Sequence, residues 1–129
     1  MDADWLKSIP LFADLSDEAL RALLLTAREL SVSEGTHIVD EGNYSNDFSI
    51  IEDGTAQVLR GDEVIAELGP GDFFGEVGLL EKEHRNASVV ATSRVRLLIL
   101  TAWDLRRLGQ HMPDVVEKIR KAAAERHTD

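Results

Sequence analysis

An arginine, a carboxylate and two glycines stand close together in this chain. They lie in the run Phe73-Phe74-Gly75-Glu76-Val77-Gly78-Leu79-Leu80 and in the Arg85-Asn86-Ala87-Ser88-Val89 that follows. A glycine at the mouth of a short helix lets a ligand approach the backbone closely. The helix N-terminus offers free N–H groups and the positive end of its dipole to an anion. Arg85 can fork two donors onto two anionic oxygens. Glu76 cannot serve the same anion, because like charges repel, but it can accept from a sugar hydroxyl beside it. The set suits one phosphate and the sugar that carries it.

Each of these residues has a plainer reading. Gly75 and Gly78 could be turn glycines, Glu76 a first-turn helix acid, and Arg85 a solvated loop arginine. Phe73 and Phe74 read as core residues. The histidines His37, His84, His111 and His127 are scattered and lack metal-ligand spacing. Ser49 and Ser88 have no histidine at a useful distance, so a hydrolase triad has no support. The residues point to binding without catalysis, and to no metal and no cofactor.

The positions of these residues depend on the rest of the chain. With 129 residues it can bury one real core, and one domain over 1–129 is expected. The absence of cysteine excludes disulfides, zinc–thiolate sites and a thiol nucleophile. No apolar run approaches a membrane span, and the acidic N-terminus is unlike a signal peptide, so a cytoplasmic location is expected. A net charge of −10 argues against direct contact with nucleic acid. It also means that an anionic ligand must be held by local positive groups against the overall field. Arg85 and the helix end supply these, with His84 and Lys82 nearby.

The apolar pattern predicts a short helix over Asp2–Ser8, ended by Pro10, and a second one capped by Ser16 with Asp17 and Glu18 in its first turn. Ala19, Leu20, Leu23, Leu24 and Ala27 recur on one helical face. From about Glu29 the period changes to short apolar runs punctuated by Gly35, Gly42, Gly54, Gly61 and Gly69, the spacing of strands and turns. Val64, Ala66 and Leu68 alternate with Ile65 and Glu67. Val95, Leu97 and Ile99 alternate with Arg96 and Leu98. Asp53-Gly54 and Gly61-Asp62 read as hairpin turns. Thr101 and Asp104 have capping-box spacing, and Pro113 opens a last helix. The expected fold is α+β: a β jelly roll of about eight strands with an N-terminal helical segment, a short helix after Phe74 and two C-terminal helices. The helical segment covers 1–28, the roll 29–101 and the C-terminal helices 102–126.

The stretch 73–89 resembles the phosphate-binding cassette of the cyclic-nucleotide-binding domains, found in the catabolite activator protein, in regulatory subunits of cAMP-dependent protein kinase and in cyclic-nucleotide-gated channels. The family pattern is roughly F-G-E-[LIV]-[AG]-L, a short variable loop, then R-x-A-x-V. Phe74, Gly75, Glu76, Val77, Gly78, Leu79, Arg85, Ala87 and Val89 meet every fixed position. Glu41-Gly42, Asp47-Phe48 and Ile50-Ile51 are similar to the upstream signature, and Gly69-Pro70-Gly71-Asp72 to the turn before the cassette. The order of elements agrees, so the resemblance covers nearly the whole chain.

The resemblance implies a sensor of a 3′,5′-cyclic purine nucleotide, cAMP or else cGMP. It implies that Arg85 binds the exocyclic phosphate oxygens and that Glu76 accepts the ribose 2′-hydroxyl. Gly75, Glu76 and Gly78 would offer backbone N–H groups, Asn86 and Ala87 would line the phosphate, and Val89 with the Val64–Leu68 strand would pack around the purine. Leu79, with Leu105 and Leu108, would relay cassette movement to the C-terminal helices. Three departures stand out. Asn86 replaces the Ser or Thr often found after the arginine, Asn43 replaces an acid, and Ser49 replaces an aromatic. The last helix has no aromatic to cap the base, which leaves Val116, Ile119 or Arg120. No further effector segment follows, so the partner is an unidentified protein or a fused domain. The alternative is an interaction module of the same fold with an unused pocket. An enzyme on a jelly roll ranks below both.

Overall fold

The computed structural model describes residues 3–9, 12–40, 47–74, 87–111, 113–114, 116–118 and 121. Helix α1 (Ala3–Lys7) opens the chain. Beyond it, Leu6, Ile9, Phe12 and Leu15 recur at intervals of three. Each later N–H donates to the carbonyl three residues back: Ile9 to Leu6, Phe12 to Ile9 and Leu15 to Phe12, at 2.9–3.1 Å. That tight winding puts all four side chains on one side, and all four are buried. Ser16 then caps α2 (Asp17–Thr26), its hydroxyl accepting from the Ala19 N–H at 3.1 Å. Lys7 Nζ lies 2.7 Å from Asp17 Oδ1 and ties the two helices at the surface. The contact raises the Lys7 pKa and lowers that of Asp17, in each case mainly through their mutual hydrogen bond.

Among the described residues eight strands follow, in two antiparallel four-stranded sheets. They are β1 (Arg28–Val32), β2 (His37–Val39), β3 (Asp47–Asp53), β4 (Ala56–Arg60), β5 (Glu63–Leu68), β6 (Phe73–Phe74), β7 (Ser88–Ala91) and β8 (Val95–Thr101). The first sheet has the order β1-β8-β3-β6 and the second β2-β7-β4-β5. Thr101 and Asp104 then cap α3 (Ala102–His111) reciprocally: the Asp104 N–H donates to Thr101 Oγ1 and the Thr101 N–H to Asp104 Oδ2, both at 3.1 Å. Residues 113–114, 116–118 and 121 are helical again. The α+β jelly roll expected from the pattern is the observed fold. No helix among the described residues is long and apolar enough to cross a membrane.

The two middle strands of the first sheet, β3 and β8, are covered on both faces, while β1 at its edge is largely exposed. Phe48, Ile50, Leu98 and Leu100 face the helices and pack with Leu6, Phe12, Leu20, Leu23 and Leu108. Ile51, Val95, Leu97 and Ile99 face the second sheet and pack with Ala56, Val89 and Ala91. The β8 pattern therefore reads differently from the expected alternation. Leu98 does not face solvent but belongs to a second core. A strand covered on both sides carries a near-continuous apolar run.

Two turns with similar sequences also differ in role. Gly61-Asp62 closes a hairpin between β4 and β5, with Arg60 opposite Glu63. Asp53-Gly54 does not close one, because β3 and β4 lie in different sheets. It is the corner where the chain leaves one sheet for the other. Gly54 has φ +94°, and a Cβ there would lie 2.1 Å from the Arg94 carbonyl oxygen. Gly61 has φ +62° with open space around it. Gly61→Ala should therefore cost about 1–2 kcal/mol for the left-handed backbone alone. Gly54→Ala should cost at least about 2 kcal/mol more, because a rigid backbone atom must also move. Urea unfolding of both variants checks this; equal losses would show that the corner yields freely.

Candidate functional site

The segment 75–86 is held at two ends, one on each sheet. Its first end is β6. Phe74 pairs with Ser49 and Phe73 with Ile50. Because side chains alternate along a strand, Phe73 turns to the helical side, its ring centroid 5.6 Å from that of Phe48. Phe74 turns into the roll, 5% exposed, and joins the cluster that contains Val89. Phe74 is core, and Phe73 is partly buried against the helical core. Phe74 thus serves any site by fixing the residue just before Gly75.

The turn before β6 strengthens that anchor. Gly71, at φ +90°, donates its N–H to the Ile51 carbonyl at 2.8 Å, and the Ile51 N–H donates to the Asp72 carbonyl at 2.8 Å. Asp72 Oδ2 accepts from the Gly69 N–H at 2.8 Å, and the Asp72 N–H donates to the Gly69 carbonyl at 3.0 Å. The resemblance marks Gly69–Asp72 only as a turn. The Asp72 side chain that closes it and the clip to Ile51 are additions from the structure. An Asp three residues after a Gly is a turn signal that sequence can offer; its partner on β3 is not.

The second end is β7. Ala87 is 8% exposed and buried just before the strand. Ser88–Ala91 then pairs with β4 on one side, and Val89 and Val90 pair with β2 on the other. The cassette therefore joins the first sheet to an inner strand of the second. Gly75, Glu76, Val77, Gly78, Leu79, Arg85 and Asn86 lie outside the described residues, as do Asn43, Ile119 and Arg120.

Other sequence-predicted positions fall as follows. Val89 is buried inside the roll. Of the Val64–Leu68 strand only Leu68 is buried; β5 is an edge strand, with Val64 and Ile65 exposed. Ser49 is buried on β3 directly across from Phe74. Leu105 belongs to α3, and Leu108 is buried among the residues of α1, α2, β3 and β8. Val116 is half-buried against α3: a Cβ placed on Gly109 would lie 3.0 Å from Val116 Cγ2. Two residues on either side of Val116 have roles that the sequence reading above does not assign. Gly109 interrupts a helical run, which was the available signal, and Lys118 pairs with Asp14 at 3.3 Å, for which the sequence carries none.

Comparison with known proteins fits this geometry. The chain is 36% identical to a cyclic nucleotide-gated potassium channel of Rhizobium etli, over 92% of this chain and 33% of the channel. The catabolite activator protein of Thermus thermophilus superposes with a TM-score of 0.85 at 29% identity, over 92% of this chain and 58% of that one. The regulatory domain of Toxoplasma gondii PKA, crystallised with cAMP, superposes with a TM-score of 0.83 at 26% identity, over 95% and 48%. The chain spans about a third or less of the length of the curated relatives it matches. The family model of the cyclic nucleotide-binding domain matches residues 29–111, from β1 through α3. The chain belongs to the cyclic nucleotide-binding domain family.

Proposed function

We propose that this chain binds a 3′,5′-cyclic purine nucleotide, cAMP in preference to cGMP, and transmits its occupancy to the C-terminal helices. The observation that carries the reading is the mounting of the cassette. A segment with the residues Gly75, Glu76, Gly78 and Arg85 joins two sheets whose facing cores hold its ends, Phe74 and Ala87. Such a support spends little conformational entropy on binding. Arg85 neutralises the phosphate with two parallel hydrogen bonds. Backbone N–H groups at Gly75, Glu76 and Gly78 complete the cradle, beside Val77, with Asn86 and Ala87 lining the phosphate. Glu76 accepts the ribose 2′-hydroxyl. Asn86 in place of Thr after the arginine favours adenine over guanine. Val116, Ile119 and Arg120 are the candidates to cover the base. Leu79 is the relay on the cassette, with Leu105 and Leu108 its counterparts on α3.

The reading needs no catalytic group. It supports a regulatory role, with an effector that is a separate protein or a fused domain. The cAMP-bound PKA domain among the similar structures supports the choice of ligand class.

Calorimetric and thermal-shift titrations with cAMP and cGMP test it directly. At a hundredfold excess over the dissociation constant, cAMP should stabilise the fold by about 2.7 kcal/mol, with cGMP binding more weakly. No stabilisation by either nucleotide would favour an interaction module with an unused pocket.

Arg85→Leu should fold normally and lose about 2–5 kcal/mol of binding, because the phosphate loses its charged partner. That is roughly thirtyfold to a few thousandfold in affinity. Unchanged binding would put the phosphate elsewhere.

Glu76→Gln should weaken binding less, since an amide oxygen still accepts the hydroxyl and only the charge assistance is lost. A 2′-deoxy cyclic nucleotide should be penalised in the parent protein and less so in Glu76→Gln. Strictly additive losses across this cycle would separate Glu76 from the ribose.

A further inference from the structure

Among the described residues the sheets end in four edge strands, β1 and β6 on the first and β2 and β5 on the second. β2 has three residues and β6 two, too short to recruit a further strand. β5 is longer but carries Glu63 and Glu67 and no cation, so two copies of it would bring four carboxylates to one seam. β1 is different. Four of its five positions are exposed, and Leu30 at its centre is 48% exposed. Natural edge strands are usually blunted by lysine, proline or a bulge. β1 has neither residue, and it pairs with β8 in unbroken register. Residues opposite each other in an antiparallel pair point to the same side. Ser31 stands opposite Arg96 and Glu29 opposite Leu98, on the helical side, while Leu30 stands opposite Leu97 and points the other way. The Arg96 guanidinium lies 3.9 Å from Glu29 and 4.0 Å from Glu52, both at the outer limit of an ion pair.

We infer that β1 is a self-association edge: it pairs antiparallel with β1 of a second copy about a two-fold axis at Leu30, joining the two first sheets edge to edge. A two-fold axis normal to the sheet keeps the helical sides of both copies on one side, so the centre of the pairing must fall on a residue. Centring on Glu29 sets two carboxylates face to face. Centring on Ser31 leaves Arg28 beyond the paired strand. Centring on Leu30 uses all five residues: the two leucines meet, Arg28 faces Val32 of the second copy, and Glu29 faces its Ser31. That serine separates Glu29 from Arg96 of the second copy. Two strand spacings are roughly 10 Å, and an extended arginine spans that distance over a side chain as small as serine. Symmetry makes the contact twice, so each guanidinium gains a carboxylate across the seam. The apolar pair Leu30–Leu30 lies on the opposite face, and backbone hydrogen bonds along the edge complete the union. Five residues a side make a small interface, so association is weak and depends on concentration. It is independent of the nucleotide reading of the pocket.

Sedimentation velocity over a concentration series tests the pairing on the whole chain, with circular dichroism to confirm that each variant folds. The samples are the parent, Leu30→Lys, Glu29→Arg, Arg96→Glu, and an equimolar mixture of the last two. The parent should show a dimer that grows with concentration. Leu30→Lys sets two ammonium groups opposite each other on the axis and should raise the dissociation constant at least about tenfold. Glu29→Arg and Arg96→Glu should each weaken self-association, because each leaves like charges across the seam. Their mixture should dimerise again. Arg96 of the first variant meets Glu29 of the second, and the new arginine at position 29 meets the new glutamate at position 96. Contacts within one chain cannot produce that rescue, since mixing leaves each chain's own residues unchanged. A parent that stays monomeric at every concentration overturns the inference. So does a dimer that Leu30→Lys leaves intact, and so does a mixture of folded variants no more dimeric than its components. Should Arg96→Glu fail to fold, Leu30→Lys and Glu29→Arg decide alone, and an unaltered dimer in either overturns the pairing.

Discussion

Burial of β3 and β8 on both faces is the constraint on which the structure depends. These two strands lie side by side in the middle of the first sheet, with Ser49 opposite Ile99 and Ile51 opposite Leu97. Phe48, Ile50, Leu98 and Leu100 hold the helices, while Ile51, Leu97 and Ile99 hold the second sheet. A one-residue slip between these strands would exchange the two sets and ruin both cores at once. Neither core has an alternative wall. Packed interiors of this kind resist small continuous deformation and respond by discrete rearrangement at their edges.

The edges are where the remaining features gather. β6 is the short edge strand of the first sheet and leads into residues 75–86. β8 runs directly into α3 through the Thr101–Asp104 box. Both neighbours of β3 therefore lead to elements of the proposed switch, and Leu108 of α3 shares a core with Phe48 and Ile50 of β3. The helices and the start of the cassette are attached to the same strands. The proposed coupling between the two would pass through these shared strands. The charge balance works the same way. A protein with net charge −10 repels a phosphate at long range, so affinity must come from fixed local donors, and fixed donors require a rigid mounting.

Much of this was legible in the chain. The family was readable because the stretch 73–89 carries its residue types at its fixed spacing. Ser16 and the Thr101–Asp104 pair were readable because caps are local chemistry. Gly61-Asp62 was readable for the same reason. Asp53-Gly54 shows the limit: turn residues report that the chain turns, not which strand it will join next. Leu98 shows another, since alternation separates two faces without saying whether the second face is wet. In β5 the alternating pattern lies at a sheet edge, and Val64 remains exposed. The Asp14–Lys118 pair lies beyond sequence reasoning because its partners come from distant parts of the chain, whereas Gly109 leaves a local signal as a glycine inside a helical run. Of the candidate site, the two anchors Phe74 and Ala87 have a described setting. The residues between them rest on the sequence pattern and on family membership.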